Sequence, residues 1–368
     1  MTSAAARTVV IKVGTSSLTD HGGALLDDGL DKLGGDVASA HQAGWSVVLV
    51  VSGAISAGMP ALRLDTRPTD VGMLQALAAV GQPRLMQRLI AIFEDHDLVG
   101  GQVLLTSSDF GQRSQYLHAR ETLQRLLELG VVPIINENDT VADDEIRFGD
   151  NDRIAALVAS MVQAGLLLML TDTAGLFTAD PRHHENASLI EEITEVDAEV
   201  ERAAGGAGTA RGSGGMASKL AAAKIAAWSG IRSVIAAATR DDVVVDALRG
   251  ENVGTAFAAR AECLSSRKVW IAFARPARGR VVVDDGAKHA LLAQGSSLLA
   301  AGVLRVEGDF NAGDAVEVVD LEGHPVAKGL VAAAAAAVAD QAGRRTSELP
   351  AGASAAVIHR DDLVVLPG

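Results

Sequence analysis

The sequence predicts a three-layer α/β/α sandwich around a mainly parallel sheet, followed by a small, mostly-β domain. Three observations carry this prediction. Over the first 260 residues, short apolar runs alternate with longer helical patterns. Each run is β-branched or Leu-rich and too short for a buried helix, the mark of strands covered on both faces. Past residue 260 the runs become short and alternating, and turn signals separate them.

The elements follow in order. Thr8-Val9-Val10-Ile11 reads as a buried strand. So do Val47 to Val51, Val103 to Leu105, Val131 to Ile135, Leu166 to Leu170 and Ser233 to Ile235. Helical patterns lie between them, from Asp27 to Gln42, Asp70 to Glu94, Ser114 to Leu129, Asp152 to Gln163 and Ala217 to Ser229. The alternation implies right-handed βαβ units. The stretch Ala259 to Lys268 is small, polar and charged, which places a linker over 261–274 between a first domain, 1–260, and a second, 275–368. The clearest strands of the second are Arg280 to Gly286, Asp314 to Val319 and Asp361 to Leu366. Six consecutive alanines at 332–337 read as a helix or a sequence-tolerant surface segment.

Composition narrows the function classes. The chain has 368 residues, 48% hydrophobic and 21% charged, enough for two cores. Only 3% is aromatic, so those cores are built from Ala, Val, Leu and Ile. A net charge of −14 argues against generic binding to DNA or anionic membranes. One cysteine, Cys263, excludes an internal disulfide and a Cys-rich zinc site, and fits a reducing compartment. The apolar stretch after Arg7 is broken by Lys12, unlike a signal peptide, and the longest apolar run, Leu330 to Ala339, falls short of the ~20 residues of a membrane span. The expected location is the cytoplasm.

Four segments fall at strand ends, where open parallel sheets bind ligands. Lys12-Val13-Gly14-Thr15-Ser16 puts an ammonium beside several backbone N–H groups, which suits phosphate oxygens; taken alone, a strand-end lysine over a surface turn is the plainer reading. In Ser52-Gly53-Ala54-Ile55-Ser56-Ala57-Gly58, Ser52 can cap the next helix and Gly53 permits close backbone approach; alone, this is an ordinary βα turn. The clusters Asn136-Glu137-Asn138-Asp139 and Gly149-Asp150-Asn151-Asp152 are too polar for turn chemistry alone and offer groups for both ends of an amino acid. The stretch Gly212 to Lys219 combines permissive glycines with a lysine placed in the first turn of an Ala-rich helix, where it can reach a phosphoryl group. Its partial dinucleotide fingerprint does not follow a strand, and no Gly-Lys-Ser/Thr loop occurs in the chain. Thr171 and Asp172 share the same sheet edge. His183-His184 lies in a polar loop and reads as exposed, not as a metal pair.

Taken together, these segments resemble the amino acid kinase family. The resemblance rests on Lys12-Val13-Gly14-Thr15, Val51 to Ile55, Val99 to Thr106, Asn136 to Asp139, Glu145 to Asp152, Leu176 to Arg182 and Gly214 to Lys219. The tail resembles a PUA domain through Val281 to Ala287, Gly295 to Leu299 and Gly308-Asp309-Phe310. A kinase of this family joined to a PUA domain is the arrangement of its glutamate-phosphorylating members. That separates the chain from acetylglutamate, carbamate and UMP kinases and from aspartokinases.

The resemblance implies transfer of the ATP γ-phosphate to the side-chain carboxylate of L-glutamate, the committed step toward proline. By position, Ser52, Asp139 and Asn151 match the glutamate-binding residues, and Gly53 and Asp150 are expected to help shape that site. Lys12, Thr171, Asp172, Ser213, Gly214, Gly215, Met216, Ala217, Ser218 and Lys219 match the ATP-binding ones. Lys12 and Lys219 are expected to be catalytic, with Asp152 orienting them and Mg²⁺ carried on the phosphates, not in a protein metal site. Homo-oligomerisation, feedback inhibition by L-proline and coupling to glutamyl phosphate reductase are further implications. PUA domains often bind RNA, but residues 269–368 carry nine Lys/Arg against twelve Asp/Glu, with only Trp270, Phe273 and Phe310 as aromatics.

Overall fold

The computed structural model describes residues 7–141, 150–179, 181, 183, 184, 186–197, 200, 213–350 and 354–366. The chain divides into two compact units, Met1–Cys263 and Leu264–Gly368.

The first unit is a layered α/β structure. Its strands are β1 (Thr8–Val13), β2 (Ser46–Val51), β3 (Val99–Leu105), β4 (Val131–Glu137), β5 (Leu166–Thr171), β6 (Glu192–Ile193), β7 (Arg232–Ala237) and β8 (Gly254–Phe257). They form one sheet in the order β3-β4-β2-β1-β5-β7-β8-β6. Every pairing is parallel except β7 with β8. The helices are α1 (Asp27–Gln42), α2 (Ala54–Gly58), α3 (Val71–Glu94), α4 (Ser107–Gly111), α5 (Arg113–Glu128), α6 (Asp150–Val162), α7 (Ser213–Trp228) and α8 (Val243–Arg249).

β1 lies at the centre, paired with β2 from Thr8↔Ser46 to Val13↔Val51 and with β5 from Val9↔Leu166 to Val13↔Leu170. Side chains alternate across a strand. Val9, Ile11 and Val13 join Leu49, Val51, Leu168 and Leu170 in a core closed by residues of α1, α3 and α8. Lys12 therefore points to the opposite face, where α6 packs across β1, β2, β4 and β5, and α7 packs beside α6. Both faces are covered, which is why these strands read as unbroken apolar runs.

The sequence reading lacks β6, β8, α4 and α8. β8 has only four residues, beginning at Gly254, and β6 has two, so neither offers a run long enough to stand out. β3 begins at Val99, four residues before the expected start. Gly100 and Gly101 hide it, because glycine carries no strand signal. Both pack closely: a Cβ would lie 2.9 Å from Ile134 Cδ1 at Gly100 and 3.1 Å from Val131 Cγ1 at Gly101.

α2 and α3 cross at very close range. A Cβ on Gly81 would stand 1.8 Å from the Ala54 carbonyl oxygen, and one on Gly58 would stand 2.2 Å from that of Leu77. This crossing fixes where α2, and the Ser52-Gly53 turn before it, meets the sheet edge.

The second unit is a six-stranded sheet in the order β10-β14-β13-β12-β9-β11. Its strands are β9 (Ala277–Val283), β10 (Leu298–Leu299), β11 (Val303–Gly308), β12 (Ala315–Val319), β13 (Pro325–Val331) and β14 (Ala356–Val365). The β9–β12 pairing is parallel and the others antiparallel. α9 (Ser266–Val269), α10 (Asp285–Gln294) and α11 (Ala335–Gln341) accompany it. α11 takes in the end of the alanine run, anchored by the buried Val338.

The expected linker, 261–274, needs correction over 264–274, which belong to the second unit. Val269, Trp270, Ile271 and Ala272 are buried in α9 and the π-helical turn after it, and the Lys328 ammonium donates to the Ala272 carbonyl at 2.9 Å and to that of Arg275. Charges at 260–268 obscured the apolar run that follows them. Trp270 and Phe310 are buried in this unit and present no stacking surface. Among the described residues no helix is long and apolar enough to cross a membrane.

Gly81→Ala tests the α2–α3 crossing. Glycine to alanine inside a helix ordinarily stabilises by about 1 kcal/mol. Here the carbonyl contact should reverse the sign and destabilise by about 1–3 kcal/mol, as overpacked sites do. Urea denaturation measures it, and an unchanged or raised midpoint contradicts the account.

Candidate active site

The site is built where β1, β2, β4 and β5 end. Gly14 follows β1 and its N–H donates to the Leu170 carbonyl on β5 at 3.2 Å, so the turn Thr15–Ser17 stays on the sheet edge. Ser52 follows β2. Gly53 takes φ +112°, a conformation open to glycine, and begins α2. Ser52 was expected to cap this helix. Gly53 occupies the N-cap position instead, and no side chain bonds there.

Three charged side chains from three distant segments meet under this edge. Asp152, in the first turn of α6, is 1% exposed. Its Oδ1 lies 2.7 Å from Lys12 Nζ, and its Oδ2 lies 3.1 Å from Lys219 Nζ and 2.6 Å from the Ser218 hydroxyl. Lys12 and Lys219 are 4% and 7% exposed. Lys219 Nζ also donates to the Gly215 carbonyl at 3.3 Å. The glycine-rich segment is not a loop before the helix: α7 begins at Ser213, so Gly214, Gly215 and Met216 form its first turn and Lys219 falls in the second. One aspartate between two ammonium groups leaves a net charge of +1 in a buried place.

The electrostatics follow from that burial. Desolvation pushes the Lys12 pKa down, and repulsion from Lys219 adds to it, while Asp152 opposes both. Burial also opposes ionisation of Asp152, but Lys12, Lys219 and the Ser218 hydroxyl outweigh it and hold the carboxyl below its usual range.

The other expected residues surround this triad. Thr171 is buried at the end of β5, and its hydroxyl donates to the exposed Asp172 at 3.0 Å. Gly215, Met216 and Ser218 are half-buried and Ala217 is exposed. Asn151 precedes Asp152 on α6, and its Oδ1 accepts from the Glu137 N–H at 3.2 Å. Asp139 is half-buried and lies in the field of Arg67, a residue the sequence reading passed over; burial lowers the Arg67 pKa and Asp139 opposes it. The Asp150, Ser213 and Gly214 side-chain positions lie outside the described residues, as do 142–149, 180, 182 and 212 of the motifs.

Two further polar residues were missed. Gln82 on α3 accepts from Asn136 Nδ2 at 2.7 Å and donates to Gln102 Oε1 at 3.2 Å. A signal existed: Gln82 interrupts the apolar helical stripe Leu74, Leu77, Ala78, Gly81, Leu85, Met86, Leu89. His183 and His184 are exposed. Among the described residues, one His/Asp/Glu group is tight enough for a cation: Asp320, Glu322 and His324, in the second unit. Asp320 there is already paired with Lys288 at 2.8 Å and accepts the backbone N–H groups of Glu322 and His324.

The comparisons with known proteins agree with this architecture. The profile of the amino acid kinase family matches residues 7–237, and that of the PUA domain matches residues 279–353. Among solved structures, carbamate kinase from Giardia lamblia superposes with a TM-score of 0.51 at 18% identity, covering 68% of this chain and 98% of its own. UMP kinase from Bacillus anthracis gives 0.50 at 18% identity, covering 69% and 97%. These two share the fold. The chain belongs to the amino acid kinase family, with a PUA domain behind the kinase unit. Within that family it groups with the glutamate 5-kinases. It is 44% identical to glutamate 5-kinase of Pelobacter propionicus over 362 residues, 97% of each chain, and 46% identical to that of Nitrosospira multiformis over 364 residues, 98% of each.

Asp152→Asn tests the balance of charge. Removing the carboxylate leaves two buried ammonium groups unpaired and should destabilise the fold by about 3–5 kcal/mol at pH 7. The sign with pH follows. The folded pKa of Asp152 lies below the unfolded value of about 3.9, so its contribution is present above that pH and is lost as pH falls through the folded value. Wild type and variant should therefore converge in acid-titrated denaturation. Equal stability at neutral pH refutes the argument.

Proposed function

We propose that this chain is a glutamate 5-kinase working in the cytoplasm: it transfers the γ-phosphate of ATP to the side-chain carboxylate of L-glutamate, giving L-glutamyl 5-phosphate and ADP, the first step of proline biosynthesis from glutamate. The observation that carries the proposal is the buried Lys12–Asp152–Lys219 group at the carboxyl edge of the parallel sheet, in a chain about 45% identical to glutamate 5-kinases over nearly its whole length.

The chemistry asks for little acid–base work. A glutamate side chain has a pKa of about 4.3 and is already ionised at pH 7. Its oxygen forms a bond to the γ-phosphorus while the bond from that phosphorus to the bridging oxygen of ADP breaks, and no proton need move. The difficulty is repulsion between a carboxylate and a triphosphate, so catalysis rests on charge and alignment. Lys12 and Lys219 supply positive charge toward the transferred group, and Asp152 fixes the two ammonium groups without neutralising both. Thr171, Asp172 and the first turns of α7 form the nucleotide side; Ser52, Gly53, Asp139, Asp150 and Asn151 form the acceptor side. The Ser52 hydroxyl, not used in capping α2, is available to the acceptor.

Among the described residues at this edge no three carboxylate or imidazole groups converge tightly enough to hold a cation, and the Asp152 carboxylate is paired with two lysines. A Mg²⁺ ion therefore fits as one carried by the phosphates of ATP, where it would add charge neutralisation to that of the lysines.

Lys12→Ala leaves Asp152 and Lys219 as a balanced pair, so folding should survive. The kcat should fall by about 10²–10³, the scale for losing one group that stabilises developing charge. Wild-type-like turnover in the purified variant refutes this role for Lys12. The substrate is tested by an ADP-release assay with ATP and Mg²⁺ across L-glutamate, L-aspartate and N-acetyl-L-glutamate, with and without L-proline. Glutamate should give the highest kcat/KM, and faster turnover of another acid overturns the assignment.

A further inference from the structure

Behind the acceptor side runs a chain of four carboxamides, all pointing one way. Asn151 Nδ2 donates to Asn136 Oδ1 at 3.1 Å, Asn136 Nδ2 to Gln82 Oε1 at 2.7 Å, and Gln82 Nε2 to Gln102 Oε1 at 3.2 Å. Asn136 is 0% exposed, so it cannot exchange a missing partner for water. Its Oδ1 also accepts the Glu137 N–H at 2.9 Å.

A carboxamide has two unlike ends. Turned over, Asn136 would aim its NH₂ at two donors, the Glu137 N–H and Asn151 Nδ2, and its oxygen at Gln82 Oε1. The Gln82 acceptor favours the orientation that lets Asn136 hold Asn151. Gln82 also follows Gly81, the residue on which the Ala54 carbonyl of α2 rests. Adjacent residues of α3 thus hold both the Ser52-Gly53 turn and Asn151.

We infer that Gln82 is a positioning residue for the acceptor amino acid, setting Asn151 through Asn136 without touching the substrate. This rests on the assignment of glutamate as acceptor, and that assignment is scored separately by wild-type turnover with glutamate. Gln82→Met keeps the length of the side chain and removes its polar atoms. Loss of this buried hydrogen bond should raise KM for L-glutamate about tenfold, with KM for ATP within about twofold of wild type. Gln82→Glu keeps an oxygen facing Asn136 Nδ2 and should recover most of the glutamate affinity, which a merely structural role would not predict. The inference is overturned if KM for glutamate stays put in Gln82→Met, if both KM values rise together, or if Gln82→Glu is no better than Gln82→Met. Should Gln82→Met fail to fold, Gln102→Ala at the exposed end of the chain decides: a rise of about threefold in KM for glutamate alone supports the role, and no rise refutes it.

Discussion

A single buried carboxylate shared by two buried ammonium groups sets the terms for the rest of the first unit. None of the three could be buried alone without a large desolvation cost. Lys12 must sit on a central strand, with α6 starting close enough for Asp152 to reach it. α7 must then lie beside α6 to bring Lys219 within 3.1 Å. The Gly215 carbonyl, in the first turn of α7, becomes a second acceptor for the lysine. The odd charge count matters as much as the geometry. Equal numbers would have made an inert ion pair, whereas two cations to one anion leave an excess charge that a phosphate can answer.

The side proposed for the acceptor uses a different material. Beside Asp139, which lies in the field of Arg67, neutral carboxamides run through it, with Asn136, Asn151 and Gln82 buried or half-buried in a continuous network. The two halves meet within one turn of α6, where Asn151 belongs to the carboxamide chain and Asp152 to the lysines. That turn is held from β1 through Lys12, from β4 through Asn136 and from α7 through Ser218 and Lys219; under the proposed function, a shift of it would misalign donor and acceptor together.

Much of this was legible in the sequence. The long apolar strands announced themselves, whereas Lys12 alone read as a strand-end lysine over a surface turn and gained weight only beside the other strand-end segments. The polar clusters at 136–139 and 150–152 stood out through sheer density. What escaped notice had local causes. β6 and β8 are too short to show a period, and Gly100-Gly101 mask the start of β3. The apolar residues 269–272 were hidden behind charged neighbours and read as part of a linker. The glycines at 214–215 suggest a loop on propensity alone, yet they lie in the first turn of α7. Gln82 was visible as a polar break in an apolar stripe, but its partner Asn136 lies 54 residues away and only the folded chain brings them together.

The central position of β1 also bears on how the molecule is made. β1 is the first strand to be synthesised, yet its two neighbours are β2 and the much later β5, and Lys12 waits for partners at 152 and 219. Contacts of such sequence separation form slowly, because a long loop must close before they contribute. A nascent chain that ends before α7 lacks one of the two lysines altogether. The order of translation therefore leaves the charge cluster incomplete until nearly all of the first unit has been made, and a product truncated before α7 would bury Lys12 and Asp152 without Lys219.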